Sequence, residues 1–71
     1  MSVVYSENAT HRANLLAAEQ TKQAAIAAAA GSASAIRTAE IAFYQSCRSS
    51  AISNNCGYSQ FVSALEELLA Q

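Results

Sequence analysis

Few residues in this 71-residue chain could do chemistry, and their types and spacing set narrow limits on what kind. His11 is the single histidine, and Cys47 and Cys56 are the two thiols. All three could ligate zinc. A structural zinc site, however, asks for four ligands with short paired spacings such as C-x-x-C. No such pair occurs, so neither a metal nor any other cofactor is expected. Nucleophilic catalysis would need Cys47 or a serine beside His11, plus a third group to orient the base. The chain has ten serines and no aspartate. The serines read better as helix caps and small packing residues. Glu66 and Glu67 are adjacent, so on a helix they project about 100° apart and form no paired carboxylate site. His11, alone near a helix start, is expected on the surface. No catalytic residue is assigned, and the chain is not expected to be an enzyme.

The tyrosines are better candidates for something specific. Tyr5, Tyr44 and Tyr58 combine contact area with a hydrogen-bonding tip, the combination that enriches tyrosine at interfaces. Tyr5 and Tyr58 flank helices and are expected in contacts. Tyr44 is equally readable as a half-buried core residue.

These side chains need elements to hold them, and the punctuation of the chain is sparse. There is no proline, and the two glycines are Gly31 and Gly57. They divide the sequence into three segments. Residues 1–6, with Val3, Val4 and Tyr5, form a β-like arm too short to be a strand alone. Residues 7–71 read as a single small helical domain. Helix one is expected from about Glu7 to Ala30, with Ser6 as its N-cap. Asn8, His11, Leu15, Ala18, Lys22, Ile26 and Ala29 share one stripe of it. Helix two is expected over about Ser34–Ser53, with Ile36, Ala39, Phe43, Cys47 and Ala51 recurring at three- and four-residue steps. Between them, "GSAS" reads either as a turn, with Gly31 ending one helix and Ser32 or Ser34 capping the next, or as continuous helix. The hairpin is favoured. "SNNCGYS" breaks the chain again, and Ser59 is expected to cap a short third helix over about 60–70. Phe61, Leu65, Leu68 and Leu69 make that helix amphipathic. At about eleven residues it is too short to stand alone, and Phe43 is its natural mate.

The fold class expected is therefore all-α, a helical hairpin plus a short C-terminal helix. Its core is small. Seventeen of the residues are alanine, which favours helix but buries little. Leu15, Ile26, Phe43, Phe61, Leu65 and Leu68 are expected to carry the packing. The run Ala24–Ala30 is apolar on every side, the signature of an enclosed helix, and Ala28 is taken as its representative contact. A core this small leaves room for partner contacts to contribute.

Charge excludes other classes of partner. The net charge is −1, and Arg12, Lys22, Arg37 and Arg48 are interleaved with the glutamates. Nucleic acid binding asks for clustered positive charge, and so does adhesion to an anionic membrane. The longest apolar run, Ala24–Ala30, is far short of the roughly 20 residues that span a bilayer. The N-terminus lacks the pattern of a secretion signal, so an intracellular location with both thiols free is expected.

The stretch "AEIAFYQSCRSSAISNNCGYSQFVSALEELLA", residues 39–70, resembles small helical proteins encoded among the head and packaging genes of tailed bacteriophages. The likeness lies in an aromatic-bearing helix, a small polar loop with Asn and Gly, and a short helix ending in "ALEEL". It implies a virion or assembly component made in a bacterial cytoplasm, and it transfers no functional residue. The function expected is a non-enzymatic structural subunit that packs against copies of itself or within a larger assembly. The alternative is a small adaptor or regulator that binds one protein partner through an amphipathic helix.

Overall fold

The computed structural model describes residues 8–70. Met1–Glu7 and Gln71 lie outside the described residues, and with them the expected arm, Tyr5 and the Ser6 cap. Three α-helices are present among the described residues: α1 (Ala9–Ala28), α2 (Ala33–Ser53) and α3 (Ser59–Leu69). The molecule measures 35 × 24 × 19 Å.

α1 begins two residues later than the sequence suggests. Its cap is Asn8, in an extended conformation, whose side chain accepts the His11 N–H at 2.9 Å. The "GSAS" link is a turn. Ala30 (φ 52°) and Gly31 (φ 85°) both lie in the left-handed region, which ends α1 at the place where glycine costs least. Ser32 then caps α2, its hydroxyl accepting the Ala35 N–H at 3.3 Å. The result is an antiparallel hairpin.

α2 closes with a Schellman motif. Asn55 adopts φ 57°, the Cys56 N–H donates to the Ala51 carbonyl at 2.7 Å, and the Asn55 N–H donates to the Ile52 carbonyl at 3.2 Å. The apolar contact that accompanies such ends is made by Cys56, which packs against the core cluster containing Ala51. The polar loop does break the chain, through Asn55; Gly57 is not in the left-handed region. The expected Ser59 cap is not made. Tyr58 occupies the cap position without a side-chain hydrogen bond, and Ser59 is the first helical residue. Packing of its apolar stripe, rather than capping, holds α3 in place.

Leu15, Phe43, Cys47, Ala51 and Phe61 form one buried cluster. Ala39 and Leu65 are also buried. α2 lies at the centre and touches both other helices, whereas no Cα of α1 comes within 8 Å of one in α3. α3 runs antiparallel to α2. Phe61 sits by Cys47 and Ala51 at one end, and Leu68 lies beside Ile36 and Glu40 at the other. The edge of the core by Phe43 is closed by Lys22, whose Nζ lies 4.3 Å from the ring centroid and 3.2 Å from a Glu19 carboxylate oxygen. Among the described residues no helix is long and apolar enough to cross a membrane.

Candidate functional site

His11 is not on the surface, as a lone histidine near a helix start was expected to be. It is 3% exposed, because it shares the inward stripe of α1 with Leu15 and is covered by α3. Its ring meets Phe61 edge-on, with centroids 6.4 Å apart. Its Nδ1 shares a 2.8 Å hydrogen bond with the Ser50 hydroxyl.

Ser50 is the centre of a polar cluster. The Asn14 amide donates to its Oγ at 2.9 Å. The Asn54 amide donates to its carbonyl oxygen at 2.9 Å and reaches Oγ at 3.4 Å. A hydroxyl has two acceptor sites and one proton. With the amides at the acceptor sites, the proton is directed to His11 Nδ1, and the ring's own proton then sits on Nε2. The cluster joins α1, α2 and the loop after α2 at one point, with the His11 ring beneath Phe61 of α3. A serine hydroxyl against an imidazole is the pairing a nucleophilic site uses, but here the third contacts are amides rather than a carboxylate. Every buried side-chain nitrogen and oxygen among the described residues has a partner. The geometry fits a satisfied structural network, in which one hydroxyl fixes the register of two helices.

The thiols stay apart. Cys47 and Cys56 are both free. Burial pushes the Cys47 thiol up to about 11; the Lys22 ammonium pulls it down by less, and Glu19 pushes it slightly further up. A thiol so placed is inert rather than nucleophilic. Among the described residues, no group of three His, Cys, Asp or Glu side chains could hold a metal ion. At the surface, the Gln23 amide and then Lys22 hold the Glu19 carboxyl below the usual carboxylate value.

The residues expected to make contacts divide into two sets. Leu15, Phe43, Phe61 and Leu65 are buried inside this one chain. Ile26, Tyr44 and Leu68 are half-buried, while Ala28 and Tyr58 are exposed. Of the alanines, Ala39 and Ala51 are buried on α2, where they let helices approach closely. Ala24, Ala25, Ala27 and Ala28 face solvent.

An open groove runs between α1 and α2, with no charged residue in its lining. Asn14, Ala17 and Thr21 form one wall; Ala42, Ser46 and Ser49 form the other. On α1 the same stripe continues through Ala24 to Ala28. Ser50 is the residue that sequence reasoning missed. The signal was present: His11 and Ser50 lie equally far from the Ala30–Gly31 bond, so an antiparallel hairpin turning there brings them together. No protein-family model, curated protein or solved structure matches this chain.

Proposed function

We propose that this chain is a non-enzymatic structural subunit, which assembles through helix–helix contacts with copies of itself or within a larger particle such as a phage virion. One observation carries the reading: the hairpin presents an open groove of uncharged side chains, all but Asn14 and Gln45 of them small. Side chains at the contact set how closely two helices approach. A face of Ala, Ser and Thr therefore allows another helix to come near without desolvating a charge. The small interior core supports the same reading, since contacts with neighbours add burial that the single chain lacks.

Absolute mass by light scattering, across about a hundredfold range of concentration, tests it. A discrete oligomer is expected. Ala28→Glu, on the exposed alanine stripe, is expected to reduce that mass while far-UV circular dichroism stays unchanged. A monomer of 7.4 kDa at every concentration would overturn self-assembly and favour the adaptor reading.

A further inference from the structure

We infer that two copies of this chain exchange their third helices: α2 and α3 straighten into one helix, and α3 of each copy packs on the hairpin of the other. The exchange is one form of the self-assembly proposed above, and it rests on that reading. Its contacts are those the chain already makes within itself.

Heptad phase carries the inference. α2 contributes Tyr44, Cys47 and Ala51 to the core and its margin, and α3 contributes Phe61, Leu65 and Leu68. Within each set the steps are of three and four residues. Asn54 and Tyr58 continue the same alternation across the link, so the stripe from Tyr44 to Leu68 keeps one unbroken heptad phase. All of it except Tyr58 is at least half-buried. A loop imposes no such period. A continuous helix that presents the stripe to a partner requires it.

The pairing is two-fold about Asn54. Phe61 sits by Cys47, and Leu68 lies beside Glu40. Phe61 and Cys47 are equally far from Asn54 in sequence, and so are Leu68 and Glu40. Two straight helices laid antiparallel across an axis at Asn54 therefore repeat between copies the register that α2 and α3 hold within one. The contact is isologous and closed, as a symmetric dimer requires. Asn54 meets its counterpart at the axis, and a polar residue in such a seam fixes register.

The link between α2 and α3 suits a hinge. Asn55 holds a left-handed conformation, φ 57°, a strain that a helical residue does not bear. Short hinges under strain favour exchange between copies. Tyr58 occupies the α3 cap without a side-chain hydrogen bond, so straightening breaks no such cap. The chain contains no proline to stop a helix there. Two effects oppose opening. Gly57 is a poor helix former, and a helix on a short tether competes at an effective concentration of about 1 mM. The closed monomer therefore dominates in dilute solution, and the exchanged dimer forms on refolding at high concentration. Its return to monomer requires Phe61 and Leu65 to leave the core, so the dimer outlasts dilution.

The test is refolding from urea at about 3 mM and at about 30 μM protein, the first above that effective concentration and the second well below it. Mass is then measured by light scattering after dilution to one common concentration. A dimer is expected from the concentrated sample alone. Gly57→Ala is expected to raise the association constant at least about tenfold, because both straightened helices gain an alanine. The closed form tolerates it, since an added Cβ meets nothing within 4 Å. Asn55→Gly is expected to lower association by a similar factor, because it relaxes the closed turn and weakens the straight helix. In dimers of one isotope-labelled and one unlabelled chain, nuclear Overhauser contacts are expected between Phe61 of one copy and Ala51 of the other. A dimer without that contact overturns the exchange while self-assembly stands. So does an association that both variants leave unchanged or move in the same direction. Monomer alone after concentrated refolding, in the native chain and in Gly57→Ala, overturns the exchange and the self-assembly reading together.

Discussion

Replacing Ser50 with alanine removes one oxygen, leaving the buried His11 Nδ1 without its donor and the Asn14 amide without its acceptor. A buried polar group without its partner costs about 1–3 kcal/mol. Ser50→Ala is expected to lower the urea midpoint by that amount of stability with an unchanged slope. An unaltered midpoint would mean that the cluster contributes nothing to holding α1 on α2. Cys47 makes a prediction about alkaline pH. Its folded-state pKa, about 11, lies above the ordinary value of 9.0. The folded state therefore holds the thiol proton more tightly than the unfolded state does. The resulting stability is complete below about pH 9 and is lost as pH rises towards 11. Denaturant titrations across that window are expected to show the decline in the native chain, and a flatter profile in Cys47→Ala after allowing for its lower baseline stability. Equal slopes would place the alkaline sensitivity elsewhere.

The turn between α1 and α2 holds two consecutive left-handed residues, and they predict opposite responses. Gly31 sits at φ 85° with open space around its α-carbon, so Gly31→Ala suffers from backbone strain alone, about 1 kcal/mol. Ala30 already bears such strain at φ 52°. Ala30→Gly is expected to relieve it, with a net gain of a few tenths of a kcal/mol after the glycine's greater unfolded-state freedom is counted. Thermal melts of the two variants should shift in opposite directions; a shared direction would contradict this turn geometry. At this scale much of the structure was legible in the sequence. Both breaks, all three helices and the inward stripe from His11 to Ile26 follow from residue spacing. The caps were less legible. Ser6 and Asn8 stand close together before α1, Ser32 and Ser34 before α2, and Tyr58 and Ser59 before α3, so residue type alone does not decide which of each pair occupies the cap. The depth of His11 was hidden for a related reason. A helical stripe says which way a side chain faces, while its cover, Phe61, comes from a helix fifty residues later.

For the whole molecule, self-association should be visible as mass action. A folded state that binds its own copies gains stability with concentration. The melting temperature is therefore expected to rise across a hundredfold increase in protein, and to rise less in Ala28→Glu. A melting temperature independent of concentration in the native chain would count against assembly. The candidate contact surfaces were only partly legible. The sequence reads Ala24–Ala30 as an enclosed run, whereas Ala24, Ala25, Ala27 and Ala28 are exposed in the single chain; Phe61 and Leu65, read as packing residues with Phe43 as their mate, are consumed by the chain's own core.

The central position of α2, touching both neighbours across short links, also bears on how fast and in what order the chain folds. Every close approach of helix backbones joins elements adjacent in sequence, which is the low-contact-order topology of rapid folders. During synthesis α1 and α2 emerge before α3, so the hairpin is available while the chain is still being made. His11 and Leu15 nevertheless stay uncovered until the last eleven-residue helix, Ser59–Leu69, is released and brings Phe61 down on them. Stop-flow refolding of a tryptophan placed at Phe61 would report that final docking as a step separable from hairpin formation.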